Sequence, residues 1–137
     1  MSRTFVDTNV WVYAQDGAEE RKQDQAVSAL AGLAADDIVI SSQVLTEFYA
    51  IVTRKLATPL TPSAAMTLVE HMTDLRVVAL DAGLVVAGLR ASIKHQLSSW
   101  DGLMIAAAAS AGCDRLLTED LNTGATYEGV TIVNPFG

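Results

Sequence analysis

Cysteine is nearly missing from this sequence, with Cys113 the one example in 137 residues. A lone thiol cannot staple a fold or build a zinc site by itself, so a reducing compartment suits the chain and Cys113 is expected to fill core. Histidine is scarce too, at two residues, His71 and His95. Neither belongs to a cluster with zinc spacing, and both are poor candidates for acid-base work. Basic residues are few: 9 Lys and Arg against 16 Asp and Glu leave a formal net charge of -7. That balance argues against a protein that grips nucleic acid through a broad basic face, because phosphate contacts normally dominate such affinity. Either the substrate is not a nucleic acid or a metal supplies the positive charge. Long hydrophobic runs are absent as well. The longest apolar stretch, Leu103 to Ala109, is far short of a bilayer crossing, and MSRTFVDTNV lacks a secretory signal, so a cytoplasmic protein without membrane attachment is expected.

What is present is apolar material, 50% of residues, enough for one core and one domain over residues 1–137. Short β-branched runs alternate with longer helical ones, the pattern of a parallel sheet wrapped by helices in three α/β/α layers. The expected strands are Thr4 to Val6, Asp37 to Ile40, Arg76 to Leu80, Arg115 to Thr118 and Val130 to Val133. Helices are expected near Asn9 to Ala14, Glu19 to Ala35, Gln43 to Ala57, Pro62 to Asp74, Ala82 to Gln96 and Trp100 to Ala111. Thr61 before Pro62, Asp81, and Gly112 supply end signals. Leu121 to Gly129 reads as a loop.

Among the acids, four stand where a solvated surface acid should not. Asp7 follows the first strand at the carboxyl edge, where open α/β sheets bind ligands, although an Asp followed by Thr8 and Asn9 is also a helix cap. Glu47 borders the apolar arc of Val44, Phe48, Ile51 and Val52; a snorkelling glutamate near a helix N-terminus would look the same. Asp101 is the one charge in WDGLMIAAAASAG, a helix apolar almost all round and therefore buried, unless it only complements the helix dipole after Ser99 as cap. Asp120 follows the strand RLLT with Glu119 beside it, and a loop aspartate would also fit there. All four can meet at one sheet edge. Clustered carboxylates repel, so the arrangement asks for a hard cation with oxygen ligands, Mg²⁺ or in substitution Mn²⁺.

The segments FVDTNVWVYA, SSQVLTEFYAIV, SSWDGLMIAAAASAGCDRLLTEDL and GVTIVNPF, in this order and spacing, resemble PIN-domain ribonucleases, most closely the VapC-like toxins of bacterial toxin-antitoxin pairs. The resemblance runs from end to end. It implies a Rossmann-like PIN fold, Mg²⁺-dependent endonucleolytic cleavage of RNA, a homodimer, and a cognate antitoxin that blocks the acidic pocket. Asp7, Glu47 and Asp101 fall on the family's acidic positions; the fourth falls on Asp120, with Glu119 as the alternative. In that reading Asp7, Asp101 and Asp120 hold one or two metal ions, and Glu47 ligates or takes a proton. Thr8, Asn9, Ser99 and Thr118 flank the acids and either orient them or serve as caps and turns. Arg54 with Lys55, and Arg90 with Lys94, are the local basic groupings that could track a phosphate backbone, or else solvated helix faces. Trp11, Tyr13, Phe48, Tyr49 and Trp100 follow helical spacing and are expected in core or dimer contacts in preference to serving as base-stacking platforms. Rival classes fit less well: a receiver domain needs an acidic pair after strand one and a lysine after the last strand, and a phosphohydrolase needs two aspartates one residue apart after strand one. A degenerate module that only binds partners stays open.

Overall fold

Val- and Ile-rich runs become strands and the longer apolar-periodic stretches become helices in the structure, a computed structural model that describes residues 2–137. The order is β1 (Thr4–Val6), α1 (Thr8–Ala14), α2 (Glu20–Ala31), β2 (Ile38–Ser41), α3 (Ser42–Arg54), α4 (Pro62–Met72), β3 (Arg76–Val78), α5 (Ala82–His95), α6 (Ser99–Ser110), β4 (Arg115–Leu117), β5 (Thr126–Tyr127) and β6 (Val130–Val133). Among the described residues the strands form one sheet in the order β3-β2-β1-β4-β6-β5, parallel except where β5 runs against β6. Side-chain alternation along the strands feeds two cores: Phe5, Leu116 and Ile132 join the larger, Val6 and Leu117 the smaller. The larger takes Val44, Phe48 and Val52 from α3 and Ile105, Ala107 and Ala108 from α6, and the smaller takes Ala26 from α2. The expected α/β/α layering around a mainly parallel sheet is therefore what the chain adopts. Cys113 is buried in the larger core, as expected.

The caps hold the helices where the sequence signals put them. Thr61 Oγ1 accepts from Ala64 N at 3.1 Å and Asp81 Oδ1 accepts from Leu84 N at 2.9 Å. Gly112, at φ 73°, follows α6. Where the structure departs from expectation, local chemistry explains it. Asp37 belongs to a 3₁₀ turn, Ala35–Asp37, ahead of β2. Gly32 caps α2, which ends at Ala31 and not at Ala35. The strand expected to reach Leu80 stops at Val78, because β3 is an edge strand paired only as far as Ser41. The segment expected to be a loop contains β5: Glu128 and Gly129, at φ 50° and 80°, make a two-residue hairpin turn that pairs Tyr127 with Val130.

Two glycines set the geometry of α6. A Cβ on Gly88 would lie 2.7 Å from Leu103 Cα, and one on Gly102 would overlap the Gly88 carbonyl oxygen. α5 and α6 therefore meet backbone to backbone, which fixes Asp101 beside the sheet.

Candidate active site

The chain order around β1 reverses, with β2 on one side and β4 on the other. That switch leaves a crevice at the carboxyl ends of the strands. Asp7 follows β1, Asp120 lies beyond β4, Glu47 stands in the second turn of α3 and Asp101 in the first turn of α6. These acids line one cavity of about 210 Å³ together with Thr8, Gln43, Val44, Trp100 and Met104. An adjoining cavity of about 330 Å³ shares Asp7, Thr8, Glu47 and Asp120, and adds Asn9, Tyr13, Asp16, Lys55 and Glu119. Larger grooves lie elsewhere, one of about 630 Å³ beside α2 with Asp24 and Arg115 on its walls. None of them gathers acids in this way.

Asp7 is both cap and cavity wall. Its Oδ1 accepts from Thr8 N at 2.6 Å, so it caps α1, while its Oδ2 accepts from Thr118 Oγ1 at 2.8 Å and from Asn9 Nδ2 at 3.3 Å. Burial pushes its carboxyl up to about 6; the bonds from Thr118 and Thr8 pull the other way, and the charges of Asp120 and Glu47 add to the rise. Asn9 Nδ2 also donates to Asp120 Oδ2 at 3.2 Å and to Thr118 Oγ1 at 3.3 Å. The Asn9 amide thus bridges two carboxylates that would otherwise repel, and its Oδ1 is left buried without a partner. Asp120 N donates to Thr118 Oγ1 at 3.0 Å. The Asp120 carboxyl is raised, by burial first and then, against the bond from Asn9, by the charges of Glu119, Asp101 and Glu47.

Glu47 is held at both oxygens. Thr8 Oγ1 donates to Oε2 at 2.9 Å and Gln43 Nε2, one helical turn earlier, donates to Oε1 at 2.8 Å. Glu119, adjacent to Asp120, turns aside: its Oε2 pairs with Lys22 Nζ at 3.1 Å and its Oε1 accepts from Tyr13 OH at 3.2 Å. Lys22 in turn lies 4.5 Å from the centroid of the Tyr13 ring.

Thr8, Asn9 and Thr118 therefore orient the acids by direct bonds. Ser99 does not: it is exposed at the start of α6, and Ser98 is the cap, its Oγ accepting from Asp101 N at 3.0 Å. The sequence SSWD carries two adjacent serines, and the cap falls on the one three residues before the acid. Gln43 went unnoticed in the sequence, although its i,i+4 spacing from Glu47 was there to read. Trp100 is neither core nor packed against core; it is 63% exposed at the cavity rim. Phe48 is buried, and Trp11 and Tyr49 pack against the core as expected. His71 is exposed and lines a separate groove, and His95 bonds Glu128 at 3.0 Å, both away from the acids. Arg90 and Lys94 line a groove between α5 and α6, and Lys94 pairs with Glu128 at 3.6 Å.

Every charged side chain on the 210 Å³ cavity is a carboxylate. Oxygen-only donors fit a hard divalent cation and do not suit zinc or copper. As they stand, no three His, Cys, Asp or Glu side chains among the described residues converge closely enough to enclose an ion, because Asp7 and Glu47 are tethered to Thr8, Asn9, Gln43 and Thr118. Capture of a cation therefore requires these carboxylates to rotate inward.

The PIN domain family model matches residues 4–128. Among solved structures, the chain is similar to a toxin-antitoxin complex from Klebsiella pneumoniae (TM-score 0.74, 17% identity, 98% of each chain covered). It is also similar to VapC20 of Mycobacterium tuberculosis, described as a sarcin-ricin loop cleaving toxin (TM-score 0.66, 19% identity, 82% of this chain and 86% of that one). A third is DNA-bound VapBC from Salmonella typhimurium (TM-score 0.63, 20% identity, 98% and 99%). No curated protein matches the chain.

Proposed function

Since this chain belongs to the PIN domain family, we propose that it is a metal-dependent endoribonuclease whose whole length acts as one domain, and that it is the toxin of a toxin-antitoxin pair. The observation that carries the reading is the convergence of Asp7, Glu47, Asp101 and Asp120 on one cavity that contains no cationic side chain. Such a cavity has no evident structural purpose, since gathering like charges in a partly buried space costs stability. It becomes useful once a divalent cation offsets the charge.

Asp7, Asp101 and Asp120 would hold the ion, Mg²⁺ with Mn²⁺ as a substitute. The chemistry such a cation would supply there is neutralisation of the phosphodiester oxygens, a water nucleophile available at neutral pH and stabilisation of the leaving 3′ oxygen. The chain's own groups do the rest. Asn9 bridges the Asp7 and Asp120 carboxylates and Thr118 holds Asp7, so the two acids stay side by side at the cavity wall and would turn inward only on binding a cation. Glu47, fixed by Thr8 and Gln43, is placed to accept the proton of the attacking water at one of its Oε atoms, each of which retains a free lone pair. Thr8 lines both cavities and Asn9 the larger of them, so the groups that orient the acids also form part of the wall.

The toxin role draws support from the net charge of -7 and from the acidic cavity, which a basic segment of a cognate antitoxin would cover. A homodimer belongs to the same reading, and Val86, Leu89 and Ile93, exposed on α5, offer an apolar stripe for it. The deciding experiment is cleavage of a panel of end-labelled structured and single-stranded RNAs by purified protein with Mg²⁺ and with EDTA, with Asp7→Asn and Asp101→Asn as controls. Cutting that needs Mg²⁺ and both acids is the expected result. Folded wild type and variants that behave alike across the panel would defeat the nuclease reading in favour of a module that only binds partners.

A further inference from the structure

We propose that Trp100 is the stacking platform for one nucleobase of the substrate, next to the phosphodiester that is cut. The proposal deepens the nuclease reading and rests on it. Trp100 stands beside Asp101 in the first turn of α6 and lines the same 210 Å³ cavity as the four acids. Its indole is 63% exposed and packs against neither core. Large aromatic side chains are normally well buried, and the other tryptophan shows the ordinary solution: Trp11 packs on both cores and donates its Nε1–H to Val6 O at 3.2 Å.

The ring is also held on a rigid base. Ser98 caps α6 just before Trp100, and Gly102 just after it is locked against Gly88. The backbone that carries the indole is therefore fixed, without the ordering cost of a loop.

Charge explains why such a platform is needed. The two adjoining cavities bring one lysine, Lys55, against Asp7, Asp16, Glu47, Asp101, Glu119 and Asp120. Phosphate contacts cannot supply most of the grip here, whereas stacking on an aromatic face is indifferent to charge and tolerant of base identity. The two adjoining cavities, of about 210 and 330 Å³, share Asp7, Thr8, Glu47 and Asp120, and Trp100 lines the first of them, so a base stacked on its ring would lie next to the acids.

The test uses the full-length protein and a short unpaired RNA that wild type cuts, together with a series in which each nucleotide in turn is abasic. Trp100→Ala should lose about ten- to a hundredfold in kcat/KM on the intact RNA, and Trp100→Phe should keep most of the activity. Wild type should lose a similar factor at one abasic position near the cut, and Trp100→Ala should lose nothing further there. Tryptophan fluorescence provides a second readout: single-stranded RNA should quench wild type and leave Trp100→Phe unchanged. Full activity in Trp100→Ala, or a loss that is the same at every abasic position, overturns the proposal. So does a loss that accompanies dissociation of an oligomer in sedimentation, which would make the ring an assembly contact. A wild type that cuts no RNA but is quenched through Trp100 would defeat the nuclease reading and keep the platform; no cutting and no quenching would defeat both.

Discussion

Replacing Asp7 by asparagine should make the cation-free protein more stable while abolishing cleavage. An aspartate in an unfolded chain gives up its proton near the ordinary value of 3.8, whereas Asp7 in the fold holds it until about 6. Between those values the folded state binds more protons than the unfolded state, so its stability falls as pH rises through that window and stays low above it. The gap corresponds to about 3 kcal/mol carried by the ionised group at neutral pH. Asparagine removes that penalty and keeps the Thr8 amide bond at Oδ1, but its Nδ2 cannot accept from Thr118 Oγ1 or Asn9 Nδ2, which costs about 1–2 kcal/mol. The net gain is about 1–2 kcal/mol above pH 6.5, or roughly 3–8 °C in Tm for a chain of this size.

Thermal or urea unfolding in EDTA from pH 4 to 8 tests this on the difference between wild type and Asp7→Asn, since titrations common to both cancel. The difference should grow in favour of the variant as pH rises through the window, then level off. A difference that is flat with pH, or one in which wild type gains on the variant between pH 4 and 6, would refute the assignment of the penalty to Asp7. Saturating Mg²⁺ at pH 7.5 should reverse the order, stabilising wild type by about 2.7 kcal/mol at a hundred times Kd and the variant hardly at all.

Three further outcomes are expected. Asp120→Asn should abolish Mg²⁺-dependent cleavage and Glu119→Gln should leave kcat within a few fold, because Glu119 is turned to Lys22 and Tyr13; equal losses in a cleavage assay would show that both acids serve the site. Gly102→Ala should cost more than about 3 kcal/mol and remove activity with it, as its Cβ meets the Gly88 backbone, whereas Gly83→Ala, with its nearest neighbour at 3.6 Å, should gain about 0.5–1 kcal/mol of helix stability by urea titration. RNA affinity should fall with added salt on a log-log slope of only about -1, the value for a single phosphate contact; a slope of about -4 or steeper would place a basic face somewhere the present reading does not.

How much of this was legible in the sequence depended on how local the signal was. The core strands could be read because Phe5, Val6, Leu116 and Leu117 are buried on both faces of a parallel sheet and so form short continuous apolar runs. β5 could not, since its two residues follow from the Glu128-Gly129 turn and carry no pattern of their own. The positions of Asp7 and Asp120 followed from strand ends, and Asp101 from being the single charge on an apolar helix. Their partners were harder. Thr8 and Asn9 are close in sequence to Asp7, but the bonds from Thr8 to Glu47 and from Asn9 to Asp120 span 39 and 111 residues and exist only once β1 lies beside β2 and β4. That Trp100 lies outside the core was hidden for a related reason: helical spacing says which residues share a face, and only the packing of α5 on α6 says which of them is left exposed.

The acidity that seemed to argue against a nucleic acid substrate is better understood as a division of labour. A basic face would hold RNA whether or not the site was loaded, and would hold it along any stretch of backbone. Here the charged groups at the site are nearly all carboxylates, Lys22 is occupied by Glu119 and Tyr13, and Lys55 alone faces the cleft as a cation. Under the proposed function, productive binding would depend on a cation bound among the acids and on a base at Trp100, two contacts made only at the point of cleavage. Under that same proposal, the charge that would keep RNA weakly bound elsewhere would make the cavity attractive to a basic peptide, so a single electrostatic feature would both limit the reach for substrate and allow the site to be shut off.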